Sequence, residues 1–308
     1  MEKVIVTGGA GFIGSHLVEA LVKQGCRVTV IDDFSTGKPD NIKSITKDIE
    51  LIKGSVTDLP LLQKAFKSAD FVFHLAAIAS VPQSVANPAA SHAVNNTGTL
   101  NALQAAAQNK VKKFVFMSSA AIYGDTPTMP IKEDMDPRPK SPYAVDKLSA
   151  EYYCRVFQDI YALPGISLRC FNVYGPRQDP NVEYAAAIPL FIRLALAGKP
   201  IVIYGDGQQT RDYVYVKDVV AANILAARSS VTGIFNISSG VSITINELTA
   251  LIIKLTGNKS KIIYEKPRPG DIVHSLADIT KATAFGYRPA YAMEAGLAET
   301  IKYHKDAL

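Results

Sequence analysis

The sequence predicts an α/β protein built on a doubly wound parallel sheet, with a smaller C-terminal lobe. Short segments that are apolar at successive positions alternate with helix-length segments through the first half of the 308 residues. A glycine-rich turn connects the first apolar segment to the first helical one. After about Gly175, prolines become frequent and the elements become shorter. These features favour strands covered by helices on both faces, followed by a region of different construction.

The elements can be placed in chain order. The first strand is predicted at residues 4–6 and the first helix at Phe12–Lys23. The later strands are predicted at residues 27–31, 50–52, 71–74, 113–117 and 166–171, and two long helices at 91–108 and 141–161. We expect one domain over residues 1–175 and a second over 176–308, from which segments such as 234–237 return to the sheet.

Composition and charge exclude several classes of protein. Hydrophobic residues make up 48% of the chain and the mean hydropathy is +0.10, which supplies a sizeable core and argues against long-range disorder. No segment approaches the about 18 uninterrupted apolar residues of a membrane span, and the N-terminus lacks a signal-peptide pattern. We therefore expect a cytoplasmic protein with no membrane partner. The net charge of +5 is spread without a basic run, which argues against nucleic acid as a partner.

The cysteine and histidine content argues against disulfides and metal sites. Cys26, Cys154 and Cys170 lie far apart, form no Cys-x-x-Cys pair and are odd in number. The five histidines are scattered, so no metal is expected. This usage is typical of a protein from a reducing compartment.

Three glycines after the first strand predict a dinucleotide site. Gly8, Gly11 and Gly14 lie in a strand–turn–helix context, where the start of the helix can receive a pyrophosphate through free N–H groups and its positive dipole end. The next strand ends in Asp32 and Asp33, and Asp32 comes 18 residues after Gly14. An acid at that distance accepts hydrogen bonds from the adenosine ribose and repels a 2′-phosphate. The pattern predicts a Rossmann domain that binds NAD.

A tyrosine and a lysine predict the reactive centre. Tyr143 and Lys147 are separated by four residues and so share one face of a helix. A free phenol has a pKa of about 10, and a nearby ammonium lowers it toward the range of a useful base. Ser118 and Ser119 follow a buried apolar segment, at a strand end where ligands bind in such sheets. Taken alone, Tyr143 and Lys147 would be interpreted as an ordinary pair on an amphipathic helix. Together with the glycine turn and these serines, they form a candidate site.

Together these motifs resemble the short-chain dehydrogenase/reductase superfamily over nearly the whole chain. Thr7 precedes the glycine turn, and the GGAGFIGSH start and the length are similar to the extended branch, which contains nucleotide-sugar epimerases, dehydratases and decarboxylases. Dehydratases of the branch carry an Asp-Glu pair where this chain has Ala120 and Ala121, and elimination of water needs an acid and a base. What remains resembles the UDP-hexose 4-epimerases, which use a resident NAD and pass through a 4-keto sugar.

The resemblance implies a set of site residues in addition to the catalytic Ser119, Tyr143 and Lys147. The implied NAD-binding residues are Gly8, Gly11, Phe12, Ile13, Gly14, Asp32, Asp33, Phe34, Ser35, Thr36, Gly37, Ser55, Val56, Leu75, Ala76, Ala77, Ala79, Asn95, Ser118, Tyr143, Lys147 and Phe171. The implied substrate-binding residues are Ser80, Ser119, Ala120, Tyr143, Asn172, Ala187, Val202, Tyr204, Arg211, Arg268, Asp271 and Ser275.

Ser275 bears on the sugar that the pocket accepts. Family members confined to non-acetylated sugars carry a bulky aromatic residue where Ser275 falls. A serine leaves room for an N-acetyl group, so the resemblance implies that UDP-GlcNAc and UDP-GalNAc are substrates. The alternative is that Ser275 is a permissive surface residue and that UDP-glucose and UDP-galactose are the physiological pair.

Two other functions stay open at this point. One is a UDP-glucuronate 4-epimerase or decarboxylase, with Arg177 as a candidate partner of the sugar carboxylate. The other is a catalytically silent NAD-binding regulator, against which the intact Ser119, Tyr143 and Lys147 argue. The resemblance also implies a homodimer that pairs the helices at 91–108 and 141–161.

Overall fold

A parallel sheet of seven strands forms the centre of a computed structural model that describes residues 1–180, 186–267 and 273–306. In chain order, the strands of the central sheet and of the smaller sheets are β1 (Lys3–Thr7), β2 (Arg27–Asp32), β3 (Ile49–Lys53), β4 (Phe71–His74), β5 (Lys113–Ser119), β6 (Gly165–Cys170), β7 (Asn172–Tyr174), β8 (Ile201–Tyr204), β9 (Thr210–Tyr215), β10 (Gly233–Ile237), β11 (Ser242–Thr244) and β12 (Ile262–Glu265). The central sheet has the order β10-β6-β5-β4-β1-β2-β3, and every neighbouring pair is parallel. The predicted doubly wound parallel sheet is confirmed.

Helices cover both faces of this sheet. They are α1 (Phe12–Lys23), α2 (Leu59–Ala65), α3 (Val81–Ala86), α4 (Pro88–His92), α5 (Gly98–Gln108), α6 (Pro142–Tyr161), α7 (Ala187–Leu196), α8 (Val216–Arg228), α9 (Ile245–Thr256) and α10 (Met293–Asp306). Val4 and Val6 of β1 pack in one apolar layer with Leu17 of α1 and Val219 of α8, whereas Ile5 packs in the opposite layer with α2, α5 and α6. Successive side chains of each strand are therefore buried on opposite faces, which explains the uninterrupted apolar segments.

The helix predicted at 91–108 begins earlier than expected. The side chain of Asn87 accepts a hydrogen bond of 3.1 Å from the N–H of Ala90, and Pro88 occupies the first helical position. Both features start a helix. A π-helical turn at Ala93–Thr97 then joins α4 to α5.

The strand order reverses between β1 and β4, and this reversal positions the site. From β1 the chain moves outward to β2 and β3 and then returns to β4 on the other side of β1. The loops that leave the carboxyl ends of β1 and β4 therefore diverge and leave a crevice between them.

A second apolar core lies in the C-terminal part of the chain. Helices α7, α9 and α10 pack around β8 and β9, with Ile192, Leu248 and Leu297 fully buried. Strands β11, β9 and β7 form a three-stranded sheet, and β12 pairs with β8. Strand β10, from the same half of the chain, lies instead at the edge of the central sheet beside β6. The division of the chain into domains at residue 175 stays a prediction.

The described ranges contain no helix that is both long and apolar enough to cross a bilayer. Within those ranges, no group of three or more His, Cys, Asp or Glu side chains could hold a metal ion. The three cysteines, all in the described part of the chain, are buried and unpaired.

Candidate active site

In the glycine-rich turn between β1 and α1, the main chain lies close to itself and to the loop after β4. Gly8 has a φ of +71°, which favours glycine, and a Cβ there would lie 2.7 Å from the main-chain nitrogen of Ala76 in the loop after β4. A Cβ on Gly14 would lie 2.1 Å from the carbonyl oxygen of Gly8. Helix α1 begins at Phe12, and no side chain caps its first turn. The N–H groups and the positive end of its dipole are therefore available to an external anion.

Asp32 and Asp33, both predicted for the ribose, have different environments. Asp32 is 7% exposed; its Oδ2 accepts a hydrogen bond of 2.8 Å from Ala10 N and its Oδ1 one of 2.8 Å from Phe34 N. Burial raises the pKa of Asp32, and these two hydrogen bonds oppose the rise. Asp33 is exposed and accepts a hydrogen bond of 2.9 Å from Ser35 N. Asp32 thus connects the glycine turn to the loop after β2.

These features fit a dinucleotide. Glycines that leave no space for a Cβ allow close approach of a pyrophosphate, the uncapped start of α1 complements its charge, and a buried carboxylate can accept from ribose hydroxyls. A Cβ on Gly37 would lie 2.7 Å from Asp32 Oδ1, so this loop also needs a glycine. Further predicted cofactor residues lie at the same edge of the sheet. Ile13 is in the first turn of α1, and the others are in loops: Thr36 after β2, Ser55 and Val56 after β3, and Leu75, Ala77 and Ala79 after β4.

Helix α6 carries Tyr143 and Lys147 one turn apart near its first residue. Ser141 caps the helix, since its Oγ accepts a hydrogen bond of 3.2 Å from the N–H of Ala144. The phenol of Tyr143 is hydrogen-bonded to the side chain of Ser119, and Lys147 Nζ lies 5.9 Å from the centre of the Tyr143 ring. The three residues predicted as catalytic are therefore together at the carboxyl end of β5.

Burial shifts the pKa values of both titratable groups. It raises the pKa of Tyr143, an effect that the hydrogen bond with Ser119 opposes. It lowers the pKa of Lys147 to about 8, while Cys170 and Glu151 act in the raising direction. At neutral pH the phenol of Tyr143 is therefore protonated and Lys147 is mostly an ammonium ion.

A cavity of about 470 Å³ opens beside these groups, a volume within the range of small-molecule sites. Seven of the predicted substrate-binding residues line it: Ser119, Ala120, Tyr143, Asn172, Ala187, Arg211 and Ser275. Two residues predicted for the cofactor, Ala79 and Phe171, line it as well. The cavity therefore combines a phenol, hydroxyls, an amide and a guanidinium, which suits a polar ligand that carries negative charge.

A comparison with protein families identifies the chain. The model of the NAD-dependent epimerase/dehydratase family matches residues 4–238. The chain belongs to this family. The predictions of an enzyme and of NAD as its cofactor are confirmed.

Three similar proteins align with almost the whole of this chain. The UDP-glucose 4-epimerase of Mycolicibacterium smegmatis is 38% identical over an alignment of 311 positions that covers 99% of each chain. A UDP-N-acetylglucosamine 4-epimerase from Methanobrevibacter ruminantium, solved with UDP-N-acetylmuramic acid, is 44% identical with a TM-score of 0.97, covering 100% of this chain and 99% of that one. The UDP-glucose 4-epimerase of Thermotoga maritima, solved with UDP-glucose, is 40% identical with a TM-score of 0.94 over 99% of each chain.

Three of the residues predicted to bind a ligand are hydrogen-bonded to other parts of the chain. Asn95 is buried and holds the loop after β4, since its Oδ1 accepts from Ile78 N at 2.8 Å and its Nδ2 donates to Ile78 O at 3.0 Å. Ser118 Oγ donates to Glu151 Oε1 at 2.5 Å. Ser80 caps α3 by accepting from the N–H of Gln83 at 3.2 Å. Contacts of these three with a ligand stay a prediction.

Other predicted substrate residues lie away from the cavity or outside the described ranges. Val202 and Tyr204 lie on β8 and are not among the described residues that line the cavity. Arg268 and Asp271 fall outside the described residues. Arg177, the candidate partner of a sugar carboxylate, pairs with Glu19 of α1 at 2.5 Å and likewise does not line the cavity as described.

The structure adds lining residues that the sequence analysis missed. Met129 and Ile131 come from the segment between β5 and α6, Tyr213 from β9, and His274 from the segment after β12. His274 Nδ1 lies 3.0 Å from Thr210 Oγ1. His274 directly precedes Ser275 in the chain, and this adjacency could have predicted that His274 lies at the cavity.

A buried ion pair beneath the site was also missed. Glu151 of α6, one turn after Lys147, pairs with Arg169 of β6 at 2.7 Å, and both side chains are at most 3% exposed. Arg169 Nη1 donates to the hydroxyl of Tyr123 at 2.8 Å. Because Glu151 also accepts from Ser118, this pair connects α6, β5 and β6 directly under the reactive groups.

Proposed function

We propose that this family member catalyses the NAD-dependent 4-epimerisation of a UDP-hexose through a transient 4-keto sugar, in the cytoplasm. The observation that carries the proposal is that Tyr143 and Ser119 meet at the wall of a cavity that Arg211 also lines, with Lys147 one helical turn behind Tyr143. The reactions named for the three relatives support the same assignment.

The glycine turn and Asp32 would hold the cofactor by its pyrophosphate and ribose. When bound, NAD⁺ supplies a reversible acceptor for the hydrogen of sugar C4. The loops at the carboxyl ends of β1 and β4 flank the crevice, and Phe171 borders the cavity. The protein thereby contributes orientation to the reaction.

Tyr143 moves the proton. In its phenolate form Tyr143 Oη takes the proton of the sugar 4-hydroxyl and later returns it, which makes this residue both base and acid. Ser119 Oγ hydrogen-bonds the same hydroxyl and orients it toward Tyr143. The ammonium of Lys147 lies one helical turn from Tyr143, 5.9 Å from the centre of its ring, and a neighbouring positive charge favours the phenolate in a buried site.

Two alanines in the cavity support assignment as an epimerase over assignment as a dehydratase. Ala120 and Ala121 line the cavity next to Ser119 and offer neither an acid nor a base. Elimination of water requires both groups at the sugar. The UDP-glucuronate alternative is less well supported, because Arg177 pairs with Glu19.

We assign UDP-GlcNAc and UDP-GalNAc as accepted substrates, with UDP-glucose and UDP-galactose as the alternative pair. Ser275 lines the cavity with a small side chain, which leaves space beside the sugar. A relative that covers this whole chain was solved with an N-acetylated UDP-sugar, which supports the assignment. Arg211, in the same lining, suits the diphosphate.

We also propose that the protein is a homodimer built on α6. Val145, Tyr152, Val156 and Ile160 are spaced by seven, four and four residues, so they form one stripe of the helix. Their exposed fractions range from 42% to 69%. A stripe of exposed apolar side chains of this kind supports a contact with a second copy.

The test is turnover of purified protein with both pairs of sugars. NAD content is measured after denaturation, and kcat/KM is compared for UDP-GlcNAc and UDP-glucose, with the products identified by NMR. Conversion of UDP-GlcNAc to UDP-GalNAc supports the whole assignment. Turnover of UDP-glucose alone would refute the acetamido assignment and keep the 4-epimerase. Failure to epimerise any UDP-hexose would refute the function.

A further inference from the structure

We propose that Asp212 is a positioning residue that fixes the cavity wall carrying His274 and Ser275, and thereby sets the KM for the sugar nucleotide. The inference rests on the proposed function, because the substrate is the UDP-hexose assigned above. Asp212 does not line the cavity in the described structure; it acts through the segments that do.

The carboxylate of Asp212 joins three segments of chain. The residue is fully buried in β9. Its Oδ1 accepts hydrogen bonds from Ser239 N at 3.1 Å and Ser239 Oγ at 2.7 Å. Its Oδ2 accepts from Gly240 N at 3.2 Å and from Ala277 N at 3.1 Å. Its main-chain oxygen also accepts from Asn172 Nδ2 at 2.9 Å, and Asn172 lines the cavity.

The contact with Ala277 holds the wall of the cavity. Ser275 lies two residues before Ala277 and His274 three residues before it. On its other side the same segment pairs with Ile131, whose N–H donates to Leu276 O at 2.7 Å. The wall is therefore held after Ser275 by Asp212 and Ile131, and before it by Thr210, whose N–H donates to Val273 O at 3.0 Å. Loss of the Asp212 contact frees the end of the segment at Ala277, two residues from Ser275, and lets Ser275 shift away from a bound sugar.

The four hydrogen bonds explain why the position needs a carboxylate. Every group that faces its two oxygens is a donor, and a carboxylate is the side chain that accepts on both oxygens. An asparagine would turn its NH₂ toward either Ser239 or the pair Gly240 and Ala277. Turned toward Gly240 and Ala277, the NH₂ would face two N–H donors and two hydrogen bonds would be lost; turned toward Ser239, it would lose the bond with Ser239 N, although the Ser239 hydroxyl can rotate to accept.

Asp218 supplies a matched control. It is also a buried aspartate, 3% exposed, and it accepts hydrogen bonds from Ala290 N at 2.9 Å and Tyr291 N at 3.2 Å. It lies in the first turn of α8, and the described lining of the cavity does not include it. An Asp218→Asn substitution therefore removes similar hydrogen bonds without touching the wall.

The experiment compares Asp212→Asn, Ser239→Ala and Asp218→Asn with the unmodified holoenzyme. KM and kcat are measured for UDP-GlcNAc and UDP-glucose, together with thermal unfolding. We expect Asp212→Asn to raise KM about tenfold with kcat little changed, because it weakens binding and leaves Tyr143 in place. Ser239→Ala removes a single donor, so its KM should rise by a smaller factor. Asp218→Asn should lower the unfolding temperature and leave KM unchanged.

Three results would overturn the proposal. One is an equal KM in Asp212→Asn and Asp218→Asn. Another is a fall in kcat at constant KM in Asp212→Asn. The third applies if Asp212→Asn does not fold: the proposal is then overturned if the KM of Ser239→Ala is no higher than the KM of Asp218→Asn. The unmodified enzyme is the control for the proposed function. If it epimerises UDP-hexoses, the three results above bear on Asp212 alone. If it does not, the proposed function fails and this inference fails with it.

Discussion

The ammonium of Lys147 donates a hydrogen bond of 2.7 Å to the carbonyl oxygen of Met117 in strand β5. The same ammonium lies 4.8 Å from the centre of the Phe116 ring, in the preceding position of the strand. Helix α6 is therefore attached to β5 two residues before Ser119. The phenol, the ammonium and the hydroxyl belong to one rigid unit of helix and strand, and such rigidity is what a proton-transfer site needs.

The first prediction concerns pH. Below the Lys147 pKa of about 8, epimerisation should accelerate with pH, because Lys147 stays charged while more Tyr143 ionises. Above about 8, loss of the ammonium offsets further ionisation of Tyr143, whose pKa burial raises, so the rate should level off. In Lys147→Arg the guanidinium keeps its charge, so the residual rate should continue to rise past that pH. The measurement is kcat/KM from pH 6 to 10; a plateau at the same pH in the variant would contradict this account.

The second prediction concerns Tyr143. Tyr143→Phe should lower kcat by about 10² to 10⁴, the usual contribution of a general acid or base, with NAD retained. Tyr123→Phe is the matched control, since the Tyr123 hydroxyl donates to Asn236 at 2.6 Å in the buried network. It should lower stability and keep most of kcat. Equal kcat values in the two variants would argue against proton transfer by Tyr143.

The sequence predicted the parts of the site that depend on local structure. Tyr143 and Lys147 meet because one helical turn separates them, and Ser119 joins them because strand ends gather at one edge of a parallel sheet. The glycine turn was predictable in part for the same reason, since Gly14 meets Gly8 within the turn, whereas the contact of Gly8 with Ala76 after β4 is long-range.

Long-range contacts account for what the sequence did not predict. The wall around Ser275 depends on pairing of Ala277 with Ile131, which no local pattern encodes. Burial separates the roles of Asp32 and Asp33, although the two are adjacent and chemically identical. Asn95 was predicted for the cofactor, but its amide holds Ile78 of the cofactor loop.

The third prediction concerns the ion pair of Glu151 and Arg169. Arg169→Met leaves the carboxylate of Glu151 buried without its cation, which should lower the free energy of unfolding by about 3–5 kcal/mol. The double variant Glu151→Leu/Arg169→Met removes both charges and should recover much of that loss. Urea unfolding followed by circular dichroism measures both. Equal losses in the single and double variants would show that the charge is not the cause.

The fourth prediction concerns the proposed dimer. Ile160→Glu places a charge in the exposed stripe of α6 and should halve the mass measured by light scattering after gel filtration. Val241→Glu is the matched control, because Val241 is 68% exposed against 69% for Ile160 but lies in the loop before β11. This variant should keep the mass of the unmodified protein. If the unmodified protein and both variants all have the mass of a single chain, the dimer is refuted.

The last prediction concerns the choice of sugar. Ser275 is 7% exposed and lines the cavity, so a tyrosine in its place would fill space that an N-acetyl group needs. We expect Ser275→Tyr to lower kcat/KM for UDP-GlcNAc by about 100-fold, because steric exclusion in a closed pocket discriminates strongly, and to change kcat/KM for UDP-glucose little. Ser275→Ala, which keeps the space, should leave the ratio of the two values as it is. If Ser275→Tyr lowers both values equally, the tyrosine disturbs the wall as a whole and Ser275 does not select the sugar.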